Sequence, residues 1–347
     1  MNLQSIHIIC ILGFFGCTVP KSSDTGIESV KASPNWDIIE SLDSNGAWLR
    51  AHIPSDNMSQ VWLIGGQPEV GAVKVGNSLT GFDTMPLPEG TPLLNWADGT
   101  SDNMWVGGLY GTILHWNGTD WNDHSLNIEE AIWGLHVSDD NSVVAVGGSS
   151  RWGGERGVVF EWNENDDTWT EWTLPSEVSN INNLFKVTHD GSKYWMVGTS
   201  GTVLYGEDAL LTPIPTGITQ DLITVEPNTS GGVNIVGGRG TGLFLQGKDG
   251  ALTDSIQLIA GINGVSTGEN DMHLLVGEMG FSTLISETSD GISTVVQVDI
   301  PPQTTHILHS ANVHTIDGIQ YWYGVGGNLA TADSTFEGSI LSLQWPQ

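Results

Sequence analysis

Cysteine is almost absent. The 347-residue chain has two, Cys10 and Cys17, both near the amino terminus. Beyond position 17 there is no disulfide, no thiolate metal site and no cysteine nucleophile to consider. Basic residues are scarce as well: 10 Lys and Arg face 40 Asp and Glu, a formal net charge of −30. Such a field excludes nucleic acid and anionic lipid headgroups as partners. Long apolar runs are missing apart from Ile6–Phe15, too short to span a bilayer as a helix. The signatures Gly-x-Ser-x-Gly, His-Glu-x-x-His and the phosphate-binding loop do not occur.

What is present is glycine, tryptophan and a period. The chain holds 45 Gly and 15 Trp, enough turn and burial material to argue against disorder despite only 14% charged residues. Seven times an apolar strand runs into a glycine: Gly65, Gly107, Gly147, Gly198, Gly237, Gly277 and Gly326, in steps of 42, 40, 51, 39, 40 and 49 residues. In the second unit Trp105 to Trp121 reads strand, glycine turn, strand, Asn-Gly turn, strand. Asn-Gly is a preferred two-residue hairpin connection. A period near forty with four short strands per unit predicts an all-β fold: a seven-bladed β-propeller of four-stranded blades. The glycine turns join strands b and c, and segments such as Ala131–Val137, Asn183–Val187 and Leu222–Val225 are expected to line the central channel as strands a.

The ends suggest how the ring closes. The chain stops soon after the third strand of blade seven, and Asn35–Leu42 begins with a Trp as other outer strands do. Residues 35–42 are therefore expected to supply the outer strand of the last blade, removing an open seam.

Upstream, Ile6–Phe15 followed by Gly16-Cys17 resembles the lipobox of bacterial lipoproteins. The resemblance implies a signal peptide over 1–16, lipidation of Cys17, a flexible tether over 17–34 and a propeller over 35–347. It also implies export, with Thr18 rather than Asp after the cysteine favouring an outer-membrane lipoprotein facing periplasm or cell surface. Within the repeats, Trp105-Val-Gly-Gly-Leu-Tyr-Gly-Thr-Ile-Leu114 followed by Asn117-Gly-Thr-Asp-Trp121 resembles propellers of the photosystem II stability/assembly-factor type and their BNR/Asp-box relatives. Asn117–Trp121 and Asn165–Trp169 keep the turn and the Trp of an Asp box but lack its Ser and Asp-x-Gly order. Those boxes are structural turns, so no catalysis carries over from them.

Site candidates follow from the repeat. The b–c loop between Gly148 and Gly157 is overlong and carries Arg151, Trp152, Glu155 and Arg156, while Arg239 occupies the equivalent loop of blade five. Three of the four arginines on one face could grip a carboxylate or phosphate, or an acidic partner segment, beside a stacking Trp. Alternatively they neutralise neighbouring carboxylates. Trp96 and Trp133 belong to strands a and are further ligand candidates, while the other tryptophans read as inter-blade packing. His306, His309 and His314 lack metal-ligand parity: His306 and His314 alone share a face, roughly 26 Å apart along an extended strand. The turns Ser138–Ser142 and Asn163–Asp167 could hold Ca²⁺ but read more simply as solvated hairpin turns. Glu129 and Glu130 point apart on a strand and make a poor glycosidase pair.

These readings converge on a monomeric, non-enzymatic scaffold for a protein partner or an anionic small ligand, touching the membrane only through its lipid and needing no cofactor or catalytic residue. The alternatives left open are a glycan-directed hydrolase or lyase and a small-ligand or Ca²⁺-binding receptor.

Overall fold

The computed structural model describes residues 35–345 apart from 254, 289–290, 306 and 330–334. Cys17 and His306 lie outside the described residues. Seven antiparallel sheets form a β-propeller. Blade one runs from the innermost strand a, Ala47–His52, through Val61–Gln67 and Val70–Asn77 to Gly81–Thr84. Strands a of the next five blades are Leu94–Thr100, Ala131–Val137, Leu184–His189, Leu222–Pro227 and Ile262–Thr267. In blade five the outer strand is split, with Ala251–Leu252 and Ile256–Leu258 both pairing with Gly242–Lys248. Blade seven contributes Leu308–Ile316, Ile319–Gly327 and Gly338–Trp345, and its outer strand is Asp37–Asp43 from the start of the domain. Asp37 pairs with Ser342 and Ile38 with Leu341 in that antiparallel seam.

The core is divided. Seven apolar layers lie between successive blades, for example Trp105, Ile132, Leu135 and Val143 between blades two and three, and Trp195, Val197, Leu222 and Val233 between blades four and five. A sheet in a propeller buries both faces, so its strands are apolar without strict alternation. Strand b of blade one, Val-Trp-Leu-Ile-Gly-Gly, is buried throughout. Gly65 sits where an added Cβ would meet the Ala47 carbonyl oxygen at 2.0 Å. That close approach of strand b to strand a explains why the repeat carries glycine there. In blade two the residue paired like Gly65 is Gly108, one place beyond Gly107, since Leu94 pairs with Gly108 as Trp48 pairs with Gly65.

An eighth cluster belongs to no blade pair. Ala47, Leu49, Leu93, Leu109, Ala131 and Phe336 pack together, with Trp133, Trp152 and Leu329 against them. All come from the ends of strands a, or from the loops, on the b–c side of the ring. They form an apolar plug at that mouth of the channel.

Candidate functional site

Every strand a has a register shift at the same place in its pairing with strand b, between Trp48 and Arg50 in blade one and at the matching step in the other six. A bulge of this kind re-aims side chains and recurs beside functional sites. The residue following the shift is Arg50, Trp96, Lys186, Thr224 or Ser310 in five blades and Gly134 or Gly264 in the other two. The first three meet inside the channel.

Arg50 Nη1 donates to Glu226 Oε1 at 2.6 Å, joining blade one to blade five. The Arg50 guanidinium lies 3.8 Å from the ring centre of Trp96, and Lys186 Nζ lies 4.1 Å from it. Lys186 Nζ donates to the Trp133 carbonyl oxygen at 2.5 Å. The Lys186 stem fills the space beside Gly134, where a Cβ would meet Lys186 Cδ at 3.2 Å. Burial pushes the Lys186 ammonium down to about 7, helped by neighbouring Arg50 and opposed by Glu226. His309 in blade seven bonds the Gly327 carbonyl through Nε2 at 2.8 Å. Burial pushes its imidazole down to about 4, against the Gly327 bond and with the help of Lys186.

Two residues further along strands a lies a histidine–carboxylate group. Asp98 Oδ2 is 3.2 Å from His136 Nδ1 and accepts the Val137 N–H at 2.9 Å, while Oδ1 is 3.7 Å from His52 Nδ1. Burial alone would raise the Asp98 carboxyl. His136, His52 and the Val137 amide outweigh it and hold the group well below the usual carboxylate range. His52 is pushed down by burial, Asp98 opposing. The His136 ring stacks against His189 at 6.1 Å.

The candidates on the b–c face are dispersed. The blade-three loop crosses the channel mouth to blade seven: Arg151 Nη1 donates to the Leu329 carbonyl at 2.7 Å, and Trp152 packs edge-on to Phe336 at 6.3 Å. The Arg151 guanidinium also covers the Trp152 ring at 4.9 Å. Arg156 forms a fork-to-fork pair with Glu171 on blade three's own outer strand. The Arg239 amide is held by Gln220 Oε1, and the next amide, Gly240, by Glu278 Oε2. Trp133 Nε1 donates to the Ser149 carbonyl and to Asn183 Oδ1, at 3.2 Å each. Arg151 and Arg156 therefore answer to different neighbours through their guanidinium groups, and Arg239 is held through its backbone amide. The fourth, Arg50, is the one in the channel. A single cation within the largely apolar run Ala-Trp-Leu-Arg-Ala-His, every residue of which is buried, was the sequence signal for it.

The remaining candidates have structural partners. His314 is buried between Tyr321 and Tyr323, at 5.6 and 5.8 Å, away from His309. The two acidic turns of blade three line one cleft of ≈ 360 Å³. Their side chains close the turns: Asp140 Oδ1 accepts the Ser142 N–H, Asn163 Oδ1 the Asn165 N–H, and Asn163 Nδ2 donates to Asp166. Among the described residues no three His, Cys, Asp or Glu side chains are grouped as metal ligands. A second cleft, ≈ 520 Å³, opens between blades two and three on the opposite face from the plug. Its floor is Trp105, stacked on His115 at 4.3 Å, and Trp162 beside His124 at 4.5 Å.

No family model matches this chain, and no curated protein does either. Solved structures do. A catalytically inactive variant of virginiamycin B lyase from Staphylococcus aureus, solved with quinupristin, superposes with a TM-score of 0.65 at 13% identity, covering 88% of this chain and 99% of that one. The WD40 β-propeller domain of Doa1 gives 0.62 at 10% identity, covering 90% and 97%. The WD40 repeats of RRP9 give 0.62 at 10%, covering 90% and 99%. The shared property is the fold. At these identities function must be argued from this chain's own residues.

Proposed function

We propose that this chain is an exported propeller lipoprotein, anchored through Cys17, that acts as a protein-interaction scaffold on its b–c face. The observation that carries the reading is a set of apolar tips on that face. Val70, Tyr110, Ile259 and Met279 are exposed by 63%, 43%, 58% and 81%. They sit in b–c turns of blades one, two and six and in the loop leading into blade six, along one arc of the ring. Tyr110 and Met279 are held at φ +54° and +56°, each followed by a glycine of positive φ. A left-handed backbone is costly for side chains of this size, and the hairpin turn imposes it. Large apolar groups fixed outward on a rigid ring are what a docking surface requires. The blade-three loop, pinned to blade seven, adds a stiff ridge to the same face. The WD40 folds among the similar structures are consistent with such use.

The test is paired. Labelling with a palmitate analogue should disappear in Cys17→Ser. Proteins cross-linked to the wild-type surface should be lost from a Val70→Ser, Tyr110→Ser, Met279→Ser triple variant, and each should rebind wild type in purified form. An unchanged set of cross-linked partners overturns the b–c face as the docking surface.

A second reading, an enzyme acting from the channel, is favoured by one observation: Asp98 orients His136 at 3.2 Å within the channel wall. A histidine held by a partly buried carboxylate is the usual apparatus of a general base. Turnover of a glycan substrate that His136→Ala abolishes, with folding intact, would establish it.

A further inference from the structure

The cleft between blades two and three, on the face away from the plug, encloses ≈ 520 Å³, within the range of small-molecule pockets. Its floor turns its hydrogen-bond donors on itself. Asn103 Oδ1 accepts the Trp105 Nε1–H at 3.1 Å and meets His115 Nε2 at 2.7 Å. An indole nitrogen only donates, so the Asn103 atom facing it is the amide oxygen. His115 therefore carries its proton on Nε2, and its Nδ1 is left as an acceptor. Asn103 Nδ2 donates to Asn141 Oδ1 at 2.9 Å, and Trp169 Nε1 to the His124 carbonyl at 2.8 Å. Burial pushes the His115 imidazole down to about 4, with His124 adding to the effect. Burial lowers His124 too, against Asp167 and Asp123, so both rings are neutral at pH 7. The exposed residues Asp102, Glu164 and Asp167 complete the lining, and no Lys or Arg belongs to it. The ion pairs made by Arg50, Lys74 and Arg156 lie elsewhere.

We propose that this cleft binds an organic cation, an alkylguanidinium or alkylammonium, its charged head answered by Asp102, Glu164 and Asp167 and its stem lying along the floor of His115, His124 and Trp162. A lining rich in acceptors and poor in free donors suits a ligand that brings donors and no acceptor, as both cations do. Aromatic rings add attraction for a cation. A neutral sugar also stacks on such rings, but its hydroxyl oxygens call for donors that this floor has already spent. Carboxylates on an open turn would hold only counter-ions. Here they border a walled space with an aromatic floor, where an apolar stem leaves water. The site lies on the opposite side of the ring from the b–c docking face and is independent of it.

The experiment titrates the full chain at fixed ionic strength with two probes. Agmatine offers the guanidinium on a free molecule, and Nα-acetyl-arginine N-methylamide offers it on a peptide unit. Calcium chloride and glucose are the comparisons. The thermal midpoint and the Trp105 indole N–H resonance are followed. A ligand that binds only the native state raises the midpoint saturably. At least one guanidinium probe should do so and shift the resonance, and the tighter of the two tells a free cation from a partner's side chain. Glu164→Gln combined with Asp167→Asn should weaken that probe at least tenfold. Both side chains are exposed, and Asn tolerates the φ of +53° at position 167, so the variant keeps the fold. It removes only two of the 40 acidic residues, so general attraction to the chain survives it and a built site does not. A midpoint and resonance indifferent to both probes overturn the site, as does equal binding by wild type and variant. Glucose binding more tightly than either probe overturns the cation assignment. Calcium displacing the probe at lower concentration assigns the carboxylates to a metal and overturns the organic ligand.

Discussion

Arg50 of blade one and Glu226 of blade five meet at 2.6 Å across the centre of the ring, although 176 residues separate them. This bond ties non-adjacent blades, whereas the apolar layers tie only neighbours. Removing one member of a buried pair strands the other charge, at a cost of about 3–5 kcal/mol. Glu226→Gln should therefore destabilise strongly. The double variant Arg50→Met, Glu226→Gln should lose much less than the two single losses added. Urea denaturation of the four proteins in the cycle measures the coupling, and additive losses would show that the bond contributes nothing.

The plug makes a second prediction. Phe336 is completely buried on a loop, and Trp152 is half-buried against it. Phe336→Ala should cost about 3 kcal/mol, at the low end for a buried aromatic because a loop can settle into the vacated space. Trp152→Ala should cost less, yet free Arg151 from its stacking partner. Hydrogen exchange at the Leu109 amide, which bonds the Leu93 carbonyl at 3.0 Å under the plug, reports the opening. Unchanged exchange in both variants would mean that the loop does not close the mouth.

The blades were legible in the sequence and the channel was not. Apolar strand, glycine and hairpin turn are local features repeated seven times, so the period survives drift in any one unit. Even the slip of one place at Gly107 leaves the count unaffected. The overlong blade-three loop was equally visible by its length. Its destination was not, because Leu329 lies 178 residues further along the chain and only ring closure brings it near. Lys186 and Glu226 likewise looked like ordinary charges within short strands. Their meaning depends on which residue of each strand a follows the bulge, and the bulge is set by pairing with strand b. Reading Arg151, Arg156 and Arg239 as one group relied on their sharing a face. The ring places the blade-three and blade-five loops against different neighbours.

Acid should weaken the fold before its carboxylates titrate. Burial holds His314 and His273 down at about 4, Asp271 opposing it at the latter, against an ordinary value of 6.5. The unfolded chain binds these protons at the higher pH and the folded chain only at the lower. Their contribution is complete above 6.5 and is lost as pH falls towards 4. Such a gap at one buried histidine amounts to roughly 3 kcal/mol. The urea midpoint should drop steadily across that window. His314→Phe, which keeps a ring beside Tyr321 and Tyr323, should flatten the drop. An equal slope in wild type and variant would exclude His314 as a cause.

The ring seam gives the last prediction. Asp37–Asp43 is held to blade seven by backbone pairing with Gly338–Trp345 and to blade one by Lys74, whose Nζ meets Glu40 Oε2 at 2.5 Å and Asp43 Oδ2 at 2.9 Å. Just before it, Trp36 is buried in the layer between blades six and seven, its Nε1 donating to Ser282 Oγ at 3.1 Å. A single strand thus fastens three blades. Trp36→Ala should cost about 3–5 kcal/mol. A covalent seam should do the opposite. Asp37→Cys with Ser342→Cys places two thiols directly opposite across the pairing and closes nearly the whole ring into one loop. The loop-entropy argument allows upwards of about 4 kcal/mol for so long a loop, with geometry deciding how much is realised. The oxidised variant should unfold later in urea than its reduced form. After proteolytic nicking within the seam turn Ser44–Gly46 its two fragments should stay covalently joined until the disulfide is reduced. An oxidised form no more stable than the reduced one would mean that opening at this seam is not how the propeller begins to unfold.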